Sequence, residues 1–207
     1  MSVLEKRQRK LRYIAVTGML SAVSAVLMML SFSVPFMPFF IKMDFSEMPA
    51  LIASFSIGPW AGVTVCLVKN LINLPFTNTG GVGELSNFVL GAVFVATAGV
   101  IYRRKKNRKR ALLGSVLGAA CMAALSLPSN YFVMYPIYGK LMPLDQILGL
   151  YQAIAPGVDG LLQCLLFFNV PYTFFKGAAD AAVTFWLYKP ISRLIHQEGK
   201  RSKKDTI

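Results

Sequence analysis

The sequence predicts an all-α integral membrane protein: a bundle of six transmembrane helices with both termini cytoplasmic. Three observations carry that expectation. More than half of the chain (55%) is hydrophobic and only 15% is charged, far from the balance of a soluble domain. Several apolar runs approach or exceed the ~20 residues a helix needs to cross a bilayer, and the alternating pattern of a membrane β-barrel is absent. Most of the 22 Lys and Arg fall in three short clusters between those runs: Lys6 to Arg12, Arg103 to Arg110, and Lys189 to Lys204. The net charge of +13 therefore reads as a topology signal rather than as a nucleic-acid surface. One domain spans 1–207, with basic cytoplasmic tails at 1–10 and 192–207.

The first span runs from about Leu11 to Ser31. Gly18 and Ala22, and Ser21 and Ala25, stand four residues apart, a spacing of small residues that lets another helix approach closely. Packing inside the same bundle and docking of another protein both fit it. The next stretch holds Pro35, Pro38 and a crowd of Phe32, Phe36, Phe39, Phe40 and Phe45. It is expected to lie at the membrane interface or to fold as a lid over a cavity.

The run from Met48 to Leu74 is broken by Gly58-Pro59. Positive-inside parity decides how to read the break. If the N-terminus and the Arg103 cluster are both inside, an even number of crossings separates them. Leu11 to Ser31 and Glu84 to Tyr102 supply two, so Met48 to Leu74 crosses twice or not at all; two crossings with a cytoplasmic turn at Gly58 to Gly62 are the expectation. The cost is one short pass, since ten residues before the turn rise only ~15 Å. Ala111 to about Tyr135 leads outward again, Leu141 to Gln163 holds a short amphipathic or re-entrant helix, and about Leu165 to Tyr188 returns.

Polar residues then converge on the outer half of the bundle: Lys69, Asn70 and Asn73; Glu84, Ser86 and Asn87; Ser129 and Asn130; Asn169, Tyr172, Thr173 and Lys176. Lys176 lies ~12 to 15 Å below the outer end of its helix, where a charge faces a cavity or a partner. Two readings of it stand: contact with a ligand, or an i,i+4 ion pair with Asp180. For Asn70, Asn87 and Asn130, interhelical hydrogen bonding is the alternative to ligand contact. Amides, one Lys and aromatic rings suit a flat heteroaromatic ligand. No metal set, activated nucleophile or phosphate loop is present, so catalysis is not expected. Cys66, Cys121 and Cys164 lie within apolar segments and have no C-x-x-C partner.

The run K-M-D-F-S-E-M-P-A-L-I, then G-P-W-A-G, L-V-K-N-L-I and G-V-G-E-L-S-N-F, resembles the riboflavin-binding S component of bacterial energy-coupling factor (ECF) transporters. A-V-T-G-M-L-S-A, S-N-Y-F and P-Y-T-F-F-K-G look like that family too. The resemblance implies a six-helix subunit of the bacterial cell membrane that binds riboflavin, uses no cofactor, and joins a transmembrane scaffold and two ATPase subunits. It implies that Met43, Asp44 and Phe45 cover the site and that Asn130 and Lys176 hydrogen-bond the flavin. Asn87 stands in the same outer polar group, and Gly18, Ser21, Ala22 and Ala25 would meet the scaffold. Thr173 stands where the family pattern commonly has Asn, with Asn169 one turn earlier on roughly the same face. An S component for another vitamin or flavin, such as FMN, and a stand-alone facilitator are the alternative functions.

Overall fold

In a computed structural model the chain is mostly helical. It describes residues 3–35, 37–38, 41–77, 79–140, 143–158 and 160–201, with side chains at 7–8 and at described positions within 10–187. Phe36, Phe39 and Phe40 of the aromatic loop, Asp159 and the side chains of the C-terminal basic cluster lie outside that set.

Helix α1 (Val3–Met29) leads into a two-strand hairpin, β1 (Phe32–Ser33) and β2 (Lys42–Met43), paired antiparallel with Phe32 opposite Met43. Pro35 and Pro38 fall between the strands, where neither has to donate to the ladder. Helices α2 (Glu47–Ser56) and α3 (Pro59–Asn73) follow, separated only by Ile57 and Gly58. Gly58 has φ +149°, a region essentially reserved for glycine, and Pro59 at the first turn of α3 fits a helix start. A Cβ built on Gly62 would meet Ala50 and Ser54, while Lys69 reaches Glu47. The two helices are therefore an antiparallel hairpin, as the Gly58-Pro59 break predicts.

Helix α4 (Val82–Arg104) begins where Thr77 donates to Glu84, 2.7 Å, in its first turn. Helix α5 (Arg108–Ser129) is capped by the Asn107 side chain, which accepts from Arg110 N–H. It continues through a π-helical turn, Asn130–Met134, into α6 (Tyr135–Tyr138). The expected short helix in 141–163 is α7 (Leu144–Gln152), which buries Ile147 and Tyr151. Helix α8 (Leu161–Cys164), a second π turn at Leu165–Asn169, and α9 (Val170–Arg201) follow and end the described residues.

Among the described residues, three helical stretches are long and apolar enough to cross a membrane: Lys10–Met29, Val82–Arg104 and Arg108–Tyr138. Short α2 touches α1, α3, α4 and α9. Eight of its ten residues are buried, so protein rather than lipid surrounds a helix of only ~15 Å. The main core gathers Leu51, Val65, Phe94 and Ala119 around it. A second cluster, with Tyr135, Tyr151 and Leu165, joins α6 and α7 to the start of the last helix. Outward positions stay apolar, among them Ile14, Leu113, Phe167 and Trp186, the exterior of a protein solvated by lipid.

The hairpin turn is testable. A Cβ on Gly58 would meet only the Arg103 guanidinium at 3.7 Å, so substitution strains the backbone and not the packing. Gly58→Ala is expected to cost about 1–3 kcal/mol, read as a lower unfolding midpoint in detergent. An unchanged midpoint would show that the turn relaxes freely.

Candidate ligand-binding site

The sequence places two acids at the foot of α2, Asp44 and Glu47, and two lysines within apolar helices, Lys69 and Lys176. Unpaired charges in such surroundings are costly, and the fold resolves this by bringing them together. Lys176 Nζ lies 2.9 Å from Asp44 Oδ2 and 3.3 Å from Glu47 Oε2. Lys69 Nζ donates to Glu47 Oε1 at 2.7 Å. Ser46 sits between them: its hydroxyl accepts from Lys69 and is in reach of Asp44 and Glu47. The Ser46 carbonyl accepts from Ser24 of α1, and the Ser46 N–H donates to Asp44 Oδ1 at 2.9 Å. All of these side chains are buried.

Each element contributes for a local reason. The bend after β2 lets Asp44 fold back on the Ser46 N–H, and α2 then starts with Glu47 at its positive end. Helix α4 supplies Gly91, where a Cβ would lie 3.0 Å from Glu47 Oε1, so a side chain there would press on the carboxylate. One turn before Lys176, Tyr172 donates to the Lys42 carbonyl at 2.7 Å and lies 3.8 Å from Met43 Sδ. Helix α9 thus holds the loop at two points. Burial raises the Asp44 carboxyl pKa, but Lys176 and then Lys69 outweigh it and hold the group below its ordinary value.

The i,i+4 reading of Lys176 with Asp180 is corrected by this geometry. Lys176 turns to Asp44 and Glu47, and both Asp180 oxygens are buried without a hydrogen-bond partner among the described residues. Asp180 is still within electrostatic reach of Glu47, Lys176, Asp44 and Lys69. Three carboxyls accordingly face two ammonium groups.

The other expected residues fall in separate places. Met43 is buried and Phe45 half-buried at the loop's end, and Thr173 is buried on α9. Asn87 accepts from Asn70 at 3.4 Å, and Ser86 stands 3.5 Å from Asn130 Oδ1, forming an amide strip between α3, α4 and α5. Asn169 belongs to another group: Tyr151 donates to its Oδ1 at 2.7 Å and its Nδ2 donates to Tyr135 at 3.4 Å. The four small residues of α1 also divide. Ser21 and Ala25 are buried in this bundle, whereas Gly18 and Ala22 face outward.

Three features escaped sequence reasoning. The partnership of Ser46, Glu47 and Lys69 is the first; two lysines in apolar helices, with two acids nearby in the chain, were its signal. The tie from Tyr172 to the loop is the second. The third is that Asn130 and Asn169 both sit on π turns, where Tyr135 N–H reaches Asn130 O and Val170 N–H reaches Leu165 O. Pro128 and Pro171 flank these turns and remove a helical donor each; π turns recur at functional sites.

Removing one member of a buried pair strands the other. Lys69→Met is expected to cost about 3–5 kcal/mol of stability, and adding Glu47→Gln should recover most of it. A Lys69→Met protein with the parent's melting behaviour would show that the pair carries no such weight.

Residues 12–188 match the family model described as ECF transporter, substrate-specific component. The chain is 35% identical over 188 residues to the riboflavin transporter RibU of Staphylococcus aureus (strain TCH60), covering 91% of this chain and 94% of that protein. It is 27% identical over 194 residues to the riboflavin transporter FmnP of Bacillus subtilis (strain 168), covering 91% and 96%. A solved structure, described as "Structure and mechanism of the S component of a bacterial ECF transporter", matches with a TM-score of 0.73 at 31% identity, over 90% of this chain and 98% of that one. By sequence along most of its length and by fold, the chain belongs to the substrate-specific components of ECF transporters.

Proposed function

We propose that this protein is the riboflavin-binding S component of an ECF vitamin uptake transporter of the bacterial plasma membrane. It is a transport subunit and not an enzyme, and riboflavin is its substrate rather than a cofactor. The relatives named as riboflavin transporters favour riboflavin over the other vitamins open to this architecture. One domain crosses the membrane six times, by α1, α2, α3, α4, α5 with α6, and α8 with α9, and both termini lie in the cytoplasm. Shielding of α2 by its neighbours supports the short pass this requires.

The observation that carries the mechanism is the contact of Lys176 with Asp44. It joins a buried ammonium group to the loop ahead of α2. Movement of that loop away from α9 takes Asp44 with it and frees a donor for a carbonyl on the ligand's edge. Met43 and Phe45 move aside with Asp44 to admit the ligand and cover its rings when the loop returns, while Asn87 and Asn130 supply amide partners from α4 and α5. Thr173 lies one turn from Lys176 on the same helix. Asn169, engaged by Tyr135 and Tyr151, reaches the ligand only by exchanging those bonds.

Delivery inward requires a transmembrane scaffold and two ATPase subunits. Gly18 and Ala22 offer the scaffold a close approach on the outward face of α1, and Ser21 and Ala25 seat that helix on the bundle beneath.

Two measurements test this reading. Riboflavin added to purified protein should quench tryptophan and flavin emission saturably, with thiamine and biotin inert. Lys176→Ala and Asn130→Ala should weaken binding roughly tenfold or more, while Leu112→Ala, facing outward on α5, leaves it unchanged. Parent-like affinities in well-folded Lys176→Ala and Asn130→Ala proteins would remove these residues from the site. In cells, riboflavin uptake should stop when the ATPase subunits are lost; continued uptake would identify a stand-alone facilitator.

A further inference from the structure

Away from the charge network, an open groove of about 450 Å³ lies between the start of α3 and the end of α4. Trp60, Val63 and Val100 form its apolar walls, and Arg103 and Arg104 stand at its rim. We propose that this groove holds one anionic phospholipid, with an acyl chain along the apolar wall and the phosphodiester between the two arginines.

Four observations converge on that occupant. The groove lies where the apolar span of α4 gives way to the basic run Arg103 to Arg110, the level at which a lipid changes from chain to headgroup. Trp60 is 77% exposed, and tryptophan favours that interfacial level. Neither Arg103 nor Arg104 has a carboxylate partner among the described residues, so both retain their donors for an outside anion. Finally, the Arg103 guanidinium lies over Gly58, which carries one of the two charges across to the α2–α3 turn. Basic pockets between membrane helices are suited to anionic headgroups, and an arginine fork matches a phosphate oxygen pair.

The chain has two tryptophans, so Trp186→Phe leaves Trp60 as the sole reporter. That variant would be reconstituted in bilayers with phosphatidylglycerol or phosphatidylcholine brominated on the acyl chain. Quenching of Trp60 should saturate at a mole fraction roughly fivefold lower for phosphatidylglycerol. Arg103→Gln with Arg104→Gln should abolish the difference, with riboflavin binding retained as the check of folding. Arg108→Gln with Lys109→Gln, which removes the same charge outside the groove, should preserve it. Equal quenching by both lipids would overturn the proposal and leave the groove to a protein segment. So would a preference that survives the Arg103 and Arg104 changes.

Discussion

A charge inside a membrane protein must meet its opposite, and this structure is arranged around that constraint. Asp44 and Glu47 enter at the foot of α2, Lys69 comes from α3 and Lys176 from α9. Their meeting fixes the level of α2 against α3, brings α9 to the hairpin loop, and seats α1 through Ser24 and the Ser46 carbonyl. In water such contacts would be worth little; in an interior without solvent their loss strands a charge. The short helix α2 is tolerable for the same reason, because the elements that bring it counter-charges also cover its backbone.

The charge network, the amide strip and the tyrosine group are distinct clusters, which matters for specificity. Lys176 and Asp44 couple the loop to α9, whereas Asn87 and Asn130 lie between α4 and α5 and touch neither. In the proposed mechanism Lys176 serves both the loop contact and the ligand's edge, whereas Asn87 and Asn130 take no part in the loop contact. Substitutions in the amide strip leave the side chains of the loop contact in place.

Much of this was legible in the chain. Gly58-Pro59 announced the helical hairpin because few residues accept that backbone, and the depth of Lys176 marked it as a residue needing a partner. What stayed hidden depended on long-range pairing. The Asp180 carboxylate, one turn from Lys176, was the nearest counter-charge in sequence, but the acids of the loop and α2 had the competing claim and won it. The π turns at Asn130 and Asn169 escaped because Pro128 and Pro171 signal a disturbed helix without saying whether it bends, breaks or bulges. On α1, spacing alone gave two small pairs; only the packed neighbours show that Ser21 and Ala25 turn inward while Gly18 and Ala22 do not.

The contact of Lys176 with Asp44 also sets an order of events during synthesis. The two residues are 132 apart in the chain, an interval on the order of ten seconds at ordinary rates of elongation. Lys69 follows Glu47 by only 22 residues, so the α2–α3 hairpin can neutralise Glu47 almost as soon as it is made. Asp44 has Ser46 and, at longer range, Lys69 early, but its direct ion pair waits for Lys176. The contacts of α9 with the loop through Lys176 and Tyr172 can therefore form only after the α2–α3 hairpin has been made.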